Sequence, residues 1–350
     1  MRYGTLVTIA ALLTATTLIA QQPARPDDTP TVKVGGTVFA DWTYTESPTT
    51  TDAGGNTINA NAFNITRAYI NITGNIVHNV SYRITPDIAR DASSGSLMYR
   101  LKYAFGQYNL DDFTTKGSWI RFGLQQTPLL DYEEGIYRYR FQGPAFSDRE
   151  GFLTASDFGA SAHWNIPANY GDVHAGFYNG EGYSKAEAND EKAFQIRATV
   201  RPLPAAGLWK GLRLTAFADE DHYVRAAPRR RFVLNAMFEH ALFNSGVDWL
   251  KAQDRASAAK DAIDANGWSA WITPKLPHNF EILLRHDELK PGTNTDQKRK
   301  RNIAGLAYWL PQRSGVTSAF MVDYDSLRQS GYTPSRADDT RYGLKLLLNF

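Results

Sequence analysis

Leu97-Met98-Tyr99-Arg100-Leu101-Lys102-Tyr103-Ala104-Phe105 places an apolar side chain at every odd position and sets Arg100 and Lys102 between them. A period of two sends successive side chains to opposite faces of a strand. The stretch therefore predicts a strand with one apolar face and one charged face. The same alternation recurs in Ile120–Gln125, Phe158–Trp164, Phe194–Val200, Leu212–Ala216, Phe232–Ala236 and Phe280–Arg285, and the chain closes on Tyr342–Phe350.

Working outward, the pattern predicts strands at about 32–46, 62–76, 80–90, 97–110, 117–129, 157–167, 171–181, 193–204, 212–222, 229–240, 245–255, 267–277, 278–289, 299–311, 315–328 and 338–350. Alternation is broken in 245–255, 267–277 and 299–311. Strands in soluble domains are usually about five or six residues long, whereas a tilted strand crossing a bilayer takes about ten. With the first strand running outward, the inner turns are short (77–79, 168–170, 241–244, 277–278, 312–314). The outer loops are longer and richer in Gly, Asp, Asn and Lys (47–61, 182–191, 256–266, 291–298). Short turns at one end and long loops at the other are the transmembrane barrel pattern. The Ala-rich stretch 256–264 is expected to carry a helical turn.

The composition agrees. The 350 residues carry 38 Lys+Arg and 36 Asp+Glu, a net charge of +2, which leaves no global basic footprint for nucleic acid. The absence of cysteine excludes a disulfide scaffold, a thiol nucleophile and Cys-ligated metal. Mean hydropathy is −0.41 although 43% of residues are hydrophobic, and no later segment holds 18 consecutive apolar residues, so no helix crosses a membrane. Arg2, the apolar run Leu6–Ala20 and the polar, Pro-rich 21–28 have the layout of a secretory signal cleaved after Ala20. The expected organisation is signal peptide 1–20, a short periplasmic tail 21–31 and a barrel over 32–350. Aromatics Trp42, Tyr82, Tyr99, Trp164, Phe238, Tyr324, Tyr342 and Phe350 fall near strand ends, where barrels carry aromatic girdles.

Specific segments then carry a resemblance. Arg341–Phe350 resembles the terminal strand by which the outer-membrane assembly machinery recognises its clients. Phe63–Gly74, Arg121–Leu129 with its Gly-x-x-x-x-Pro spacing, and Ser147-Asp148-Arg149-Glu150-Gly151 after a long loop are similar to segments of the phosphate-selective porin O and P family. That resemblance implies a 16-stranded barrel in the outer membrane, usually a homotrimer, conducting small hydrophilic solutes. Sixteen strands also leave an aqueous channel, where eight would be filled by side chains.

With lipid outside, the polar parity faces the lumen, because Arg or Lys on the lipid face costs about 2–4 kcal/mol at midplane. The pore-lining and anion-binding candidates are Arg67, Arg83, Arg100, Lys102, Arg121, Arg197 and Arg213, with Arg201, Arg231, Arg285 and Lys345 behind them. The acidic candidates are Asp87, Asp219, Glu239, Glu281, Asp287 and Asp323. Basic residues lead, and Arg or Lys rings favour anions, so the expected solutes are anions, phosphate or another oxyanion among them. Leu130–Ser156 is too long and too aromatic for a floppy loop, and in porins the third external loop folds inward. Its charges Glu133, Glu134, Arg138, Arg140 and Arg149 would form the constriction. If Glu133 and Glu134 face Arg67, Arg100 and Arg121, a transverse field results; if Arg138 and Arg140 point to the centre, anions gain.

Other chemistries are weaker. His163 and His174 on neighbouring strands with Ser161 suggest a Ser/His pair, but no nucleophile elbow or oxyanion motif accompanies them and no third ligand completes a metal site. No catalytic residue, metal or cofactor is expected. Lys298-Arg299-Lys300-Arg301 falls at the outer rim, level with lipopolysaccharide phosphates, or is simply a solvated edge. Two readings stand: a diffusion porin leaning to anions, and a nonconducting barrel serving as adhesin, receptor or structural component. Bilayer conductance separates them.

Overall fold

The computed structural model describes residues 28–91, 93–205, 207–311 and 317–350. Sixteen antiparallel strands form one closed barrel. They are β1 (Lys33–Ser47), β2 (Asn61–Val77), β3 (Val80–Arg90), β4 (Leu97–Asn109), β5 (Trp119–Gln126), β6 (Ser156–Ile166), β7 (Gly171–Tyr178) and β8 (Ala193–Val200). The second half adds β9 (Leu212–His222), β10 (Pro228–Glu239), β11 (Phe243–Asp254), β12 (Ile263–Pro274), β13 (Phe280–Lys290), β14 (Lys298–Trp309), β15 (Ala319–Ser330) and β16 (Asp339–Asn349). The three segments with broken alternation are strands. β12 starts about four residues earlier than expected, and the Ala-rich stretch before it carries a turn rather than a helix. The expected signal peptide and the turn at 312–314 lie outside the described residues.

Each strand pairs with its sequence neighbour, and β16 pairs with β1 to close the ring. Phe350 completes the seam: its amide donates to the Gly36 carbonyl at 2.9 Å, and its carbonyl accepts from Gly36 at 2.7 Å. Gly36 is glycine for a steric reason, since a Cβ there would stand 2.5 Å from the Phe350 ring. Two short turns share one chemistry. Ala168-Asn169 and His278-Asn279 both follow a proline, and both adopt consecutive positive φ (56° and 63°; 60° and 63°). That is the hairpin geometry whose twist matches the strands.

The barrel is apolar outside. Phe63 and Phe122 are 85% and 77% exposed, and Phe320, Val322 and Leu344 continue the band. One expectation fails locally. The ladder between β3 and β4 slips between Thr85 and Pro86, where proline has no N–H to donate. The slip reverses the phase of β4 after Lys102, a bulge's usual effect. Tyr99 and Leu101 stay exposed on the outer face, but Tyr103 is buried on the lumen side, and Phe105 lies beneath the Arg121 guanidinium there. The odd positions of 97–105 therefore divide between two faces.

Candidate functional site

The lumen is occupied by the chain between β5 and β6. Residues 127–155 fold inward and carry two helices, α1 (Leu130–Tyr137) and α2 (Phe146–Arg149). Apolar burial explains why this plug loop stays inside. Ile136, Tyr137, Tyr139 and Phe141 pack on Phe39, Met237, Trp271, Leu283, Ile303, Met321 and Leu347 of the wall. Leu129, Leu130, Phe146 and Leu153 pack on Phe217, Val233, Leu250 and Leu289. These wall residues have lumen parity, so one sector of the interior is a protein core. Polar cavities lie on the other side, along β1–β8 and β14–β16.

Charged contacts complete the attachment. Arg138 ends α1 with φ 61° and places its Nη2 2.8 Å from both oxygens of Glu281, stacking on Trp309 at 4.7 Å. Arg149 donates to Asp325 at 3.1 Å, Glu150 pairs with Arg299 at 2.6 Å, and Arg285 donates to the Pro144 carbonyl at 2.8 Å. Arg140 stays within the loop, pairing with Glu134 at 2.7 Å and Asp148 at 3.2 Å. Glu133 does not face Arg67, Arg100 and Arg121. It is buried on the other side, 3.4 Å from Asn235, which also bonds Asp248. Neither expected arrangement of the loop charges therefore holds as stated: Glu133 and Arg138 bind the far wall, and Glu134 and Arg140 bind each other. Burial, reinforced by the Asp248 carboxyl, holds Glu133 well above the ordinary glutamate range. Burial also lifts Glu134 to about 7 despite Arg140 beside it.

The seven wall candidates all have lumen parity, but they divide in two. Arg67 pairs with Asp87 at 3.7 Å, Arg197 with Asp172 and Arg213 with Glu239. Arg197 also donates to the Pro128 carbonyl at 2.7 Å, and so anchors the plug loop. The other four have neutral partners. Arg83 donates to Thr85 and Asn71 at 3.0 Å each and stacks on Tyr103 at 4.4 Å. Arg100 donates to the Tyr183 hydroxyl at 2.7 Å. Lys102, almost fully buried, donates to the Tyr69 hydroxyl at 2.8 Å. Arg121 donates to Gln107 at 2.6 Å and lies over Trp119 at 3.7 Å.

Sequence reasoning missed several lumen acids, namely Asp41, Asp157, Asp172, Asp221, Asp248 and Asp325. Strict alternation would have found most of them; Asp248, between Val247 and Trp249, is the plainest case. Four of the six pair with cations, Asp172 with Arg197 and Asp221 with Arg229 among them. Arg301 and Arg149 share Asp325, and Lys345 reaches Asp41 at 3.5 Å; Asp287, which the sequence did offer, meets Arg285 through a two-nitrogen fork at 2.8 Å.

Three polar cavities mark the open side. At the loop end, about 550 Å³ is lined by Asp41, Asp323, Asp325, Arg149, Arg301, Arg341 and Lys345, a mixed set. At the turn end, about 290 Å³ is lined by Lys33, Arg83 and Arg121 with Thr73, Asn75, Ser81, Gln107 and Gln126, and by no carboxylate. Beside it, about 270 Å³ lies between Arg121, Arg197, His163, His174, Asp131 and Asp172.

The Ser/His idea meets its geometry here. Ser161 Oγ lies 3.2 Å from His174 Nε2, but its proton goes to Gln125 Oε1 at 2.6 Å. The carboxylate of Asp172 sits on the other histidine, His163, at 3.1 Å. These groups do not form a relay. Among the described residues no cluster of three or more His, Cys, Asp or Glu could hold a metal ion.

Solved structures place the architecture. An anion-selective porin from Comamonas acidovorans superposes with a TM-score of 0.65 at 12% identity, over 92% of this chain and 100% of that one. The barrel has the porin fold. The outer membrane channel DcaP of Acinetobacter baumannii gives 0.64 at 12% identity over 92% and 97%, and Salmonella typhi OmpF in complex with daunomycin gives 0.60 at 11% identity over 91% and 97%. No family model and no curated protein matches the sequence.

Proposed function

We propose that the protein is an outer-membrane porin, a water-filled channel for passive diffusion of small hydrophilic solutes with a lean to anions. An apolar outer band on a closed barrel requires an apolar solvent, and strands of this length suit a bilayer. The N-terminal 20 residues serve as the export signal, residues 21–31 form the periplasmic tail, and the loop end faces outward. A homotrimer accords with the porin fold.

The anion lean rests on one observation: the turn-end cavity holds Lys33, Arg83 and Arg121 with no acid in its lining. Elsewhere most lumen cations are paired with acids, Arg100 and Lys102 excepted, and the paired fields largely cancel. An incoming anion leaves a mixed outer vestibule, passes Arg67, Arg140 and Glu134 beside the plug loop, and enters a wholly basic inner chamber. Arg presents a planar fork suited to oxyanions, so phosphate, sulfate and carboxylates are the fitting solutes.

Planar-bilayer recording tests this. Discrete conductance with a reversal potential on the anion side in a KCl gradient is the expected result. A cation-side reversal potential overturns the lean. Absence of conductance favours the nonconducting barrel, a reading that the two apolar anchors of the plug loop would also accommodate.

A further inference from the structure

We propose that the outward face of β13–β15, just beyond the aromatic girdle at the loop end, is a docking surface for the phosphates of a phosphorylated glycolipid in the outer leaflet. The inference rests on the outer-membrane placement proposed above.

The run Lys298-Arg299-Lys300-Arg301 is split by strand alternation. Arg299 and Arg301 point into the lumen, where Glu150 and Asp325 neutralise them at 2.6 Å each. Lys298 and Lys300 point outward and are exposed. Lys300 stands directly opposite Arg328 in the ladder between β14 and β15, and Arg328 is also exposed. Lys290 flanks that rung toward the loop end. The acid on this outward face of β13–β15 is Glu288, 3.3 Å from Lys300. Like charges directly opposite each other destabilise a sheet, and among the described residues no carboxylate lies within salt-bridge distance of Arg328, Lys290 or Lys298.

Depth selects the partner. Counting rungs from the turn end of these strands, the outer face begins with Phe280, Tyr308 and Phe320. It passes Leu284, Ala304 and Tyr324, then the neutral rung His286, Asn302 and Ser326, and then reaches Glu288, Lys300 and Arg328. Apolar, aromatic, neutral and cationic layers follow the order of acyl chain, interface and headgroup. The turn-end rung carries no charge, so the cations mark one leaflet. On β6–β8, by contrast, the outward residues at the loop end are Phe158, Phe177 and Phe194. A soluble anion would need no such alignment with the apolar band, whereas a lipid-borne phosphate does.

The test refolds the full mature chain into phosphatidylethanolamine vesicles doped with bisphosphorylated lipid A, extracts it in mild detergent and measures lipid A retained per barrel. Each removed cation is expected to lower retention about fivefold, so Lys298→Gln/Lys300→Gln/Arg328→Gln falls by roughly a hundredfold. The charge-conserving Lys298→Arg/Lys300→Arg protein retains lipid A, which separates charge from a folding defect. Wild-type barrels lose dephosphorylated lipid A and lose the intact glycolipid at high salt. Undiminished retention in the triple variant, or equal retention of the dephosphorylated lipid, overturns the proposal. Single-channel conductance stays the same in every variant, because these side chains face away from the lumen; its loss in wild type would instead count against the porin reading.

Discussion

Removing Arg83 and Arg121 together should abolish most of the anion preference, and the size of the change can be worked from the cavity they line. Both guanidiniums lack a carboxylate partner, so each presents a full charge to a solute in the turn-end chamber. A monovalent ion about 6 Å from such a charge in water gains about 0.7 kcal/mol, and screening in 0.1 M salt reduces this to about 0.4 kcal/mol. Two charges then favour an anion by about 0.8 kcal/mol and disfavour a cation equally, so the permeability ratio moves about tenfold. The assay is the reversal potential of Arg83→Gln/Arg121→Gln in a KCl gradient. Glutamine keeps hydrogen-bonding capacity toward Thr85, Asn71 and Gln107, and neither arginine helps hold the plug loop, so unit conductance should change little. Arg230→Gln provides the control, since Arg230 faces outward and is paired with Glu220 at 2.7 Å. A permeability ratio in the double variant equal to that of wild type would refute the idea that unpaired lumen cations set selectivity.

The asymmetry of the two mouths predicts a rectifying channel: with one KCl concentration on both sides, current should differ between polarities, and Arg83→Gln/Arg121→Gln should make it symmetric. Phe141→Ala empties part of the apolar anchor around Phe39 and Trp309, costing about 3–5 kcal/mol; urea titration should show the loss, and single channels should become larger or noisier. Glu133 binds its proton more tightly in the folded protein than in the unfolded chain, so its contribution is full below the ordinary value near 4.5 and is lost as pH rises through the raised value. Wild type and Glu133→Gln should therefore have matching stability in acid, and wild type should fall behind by about 1 kcal/mol per pH unit across that window; a constant difference at every pH would count against it. Gly36→Leu sets a side chain into the Phe350 ring, and heat-modifiable gel mobility should reveal unclosed barrel.

Strand number, order and end-to-end asymmetry were legible because each strand reports itself through local alternation, and because antiparallel neighbours need only short connections. The exceptions have local causes. β4 changes phase at a bulge that Pro86 on its neighbour produces, so a face assigned by extrapolation from Leu97–Phe105 goes wrong after Lys102. The plug loop was legible as a folded, aromatic insertion, but not its partners. Glu133 meets Asp248, and Arg138 meets Glu281, across more than a hundred residues of sequence, and no local pattern encodes a contact of that span. The lumen acids were partly hidden by attention to cations. Asp172, Asp221 and Asp325 sit on the same parity as the arginines, and alternation applied evenly to both signs would have predicted pairing.

The division of the lumen into a packed sector and an open sector explains which charges can act on a solute. Where the plug loop meets β9–β15, water is excluded, and an isolated charge there would bear a desolvation cost of several kcal/mol. Arginines there are accordingly tied to acids at short range: Arg285 to Asp287 at 2.8 Å, Arg138 to Glu281 at 2.8 Å, Arg231 to Asp254 at 2.7 Å. Along the open wall the pairs loosen to 3.7 Å for Arg67–Asp87 and 3.5 Å for Lys345–Asp41. There Arg83 and Arg121 also persist with amide and hydroxyl partners and aromatic rings beneath them. Access to water makes that tolerable, and a solute in the proposed channel would pass them there. Cations without acid partners therefore gather on β3–β5, away from the side where the loop is held, and counting charges over the whole lumen would average the two regimes away.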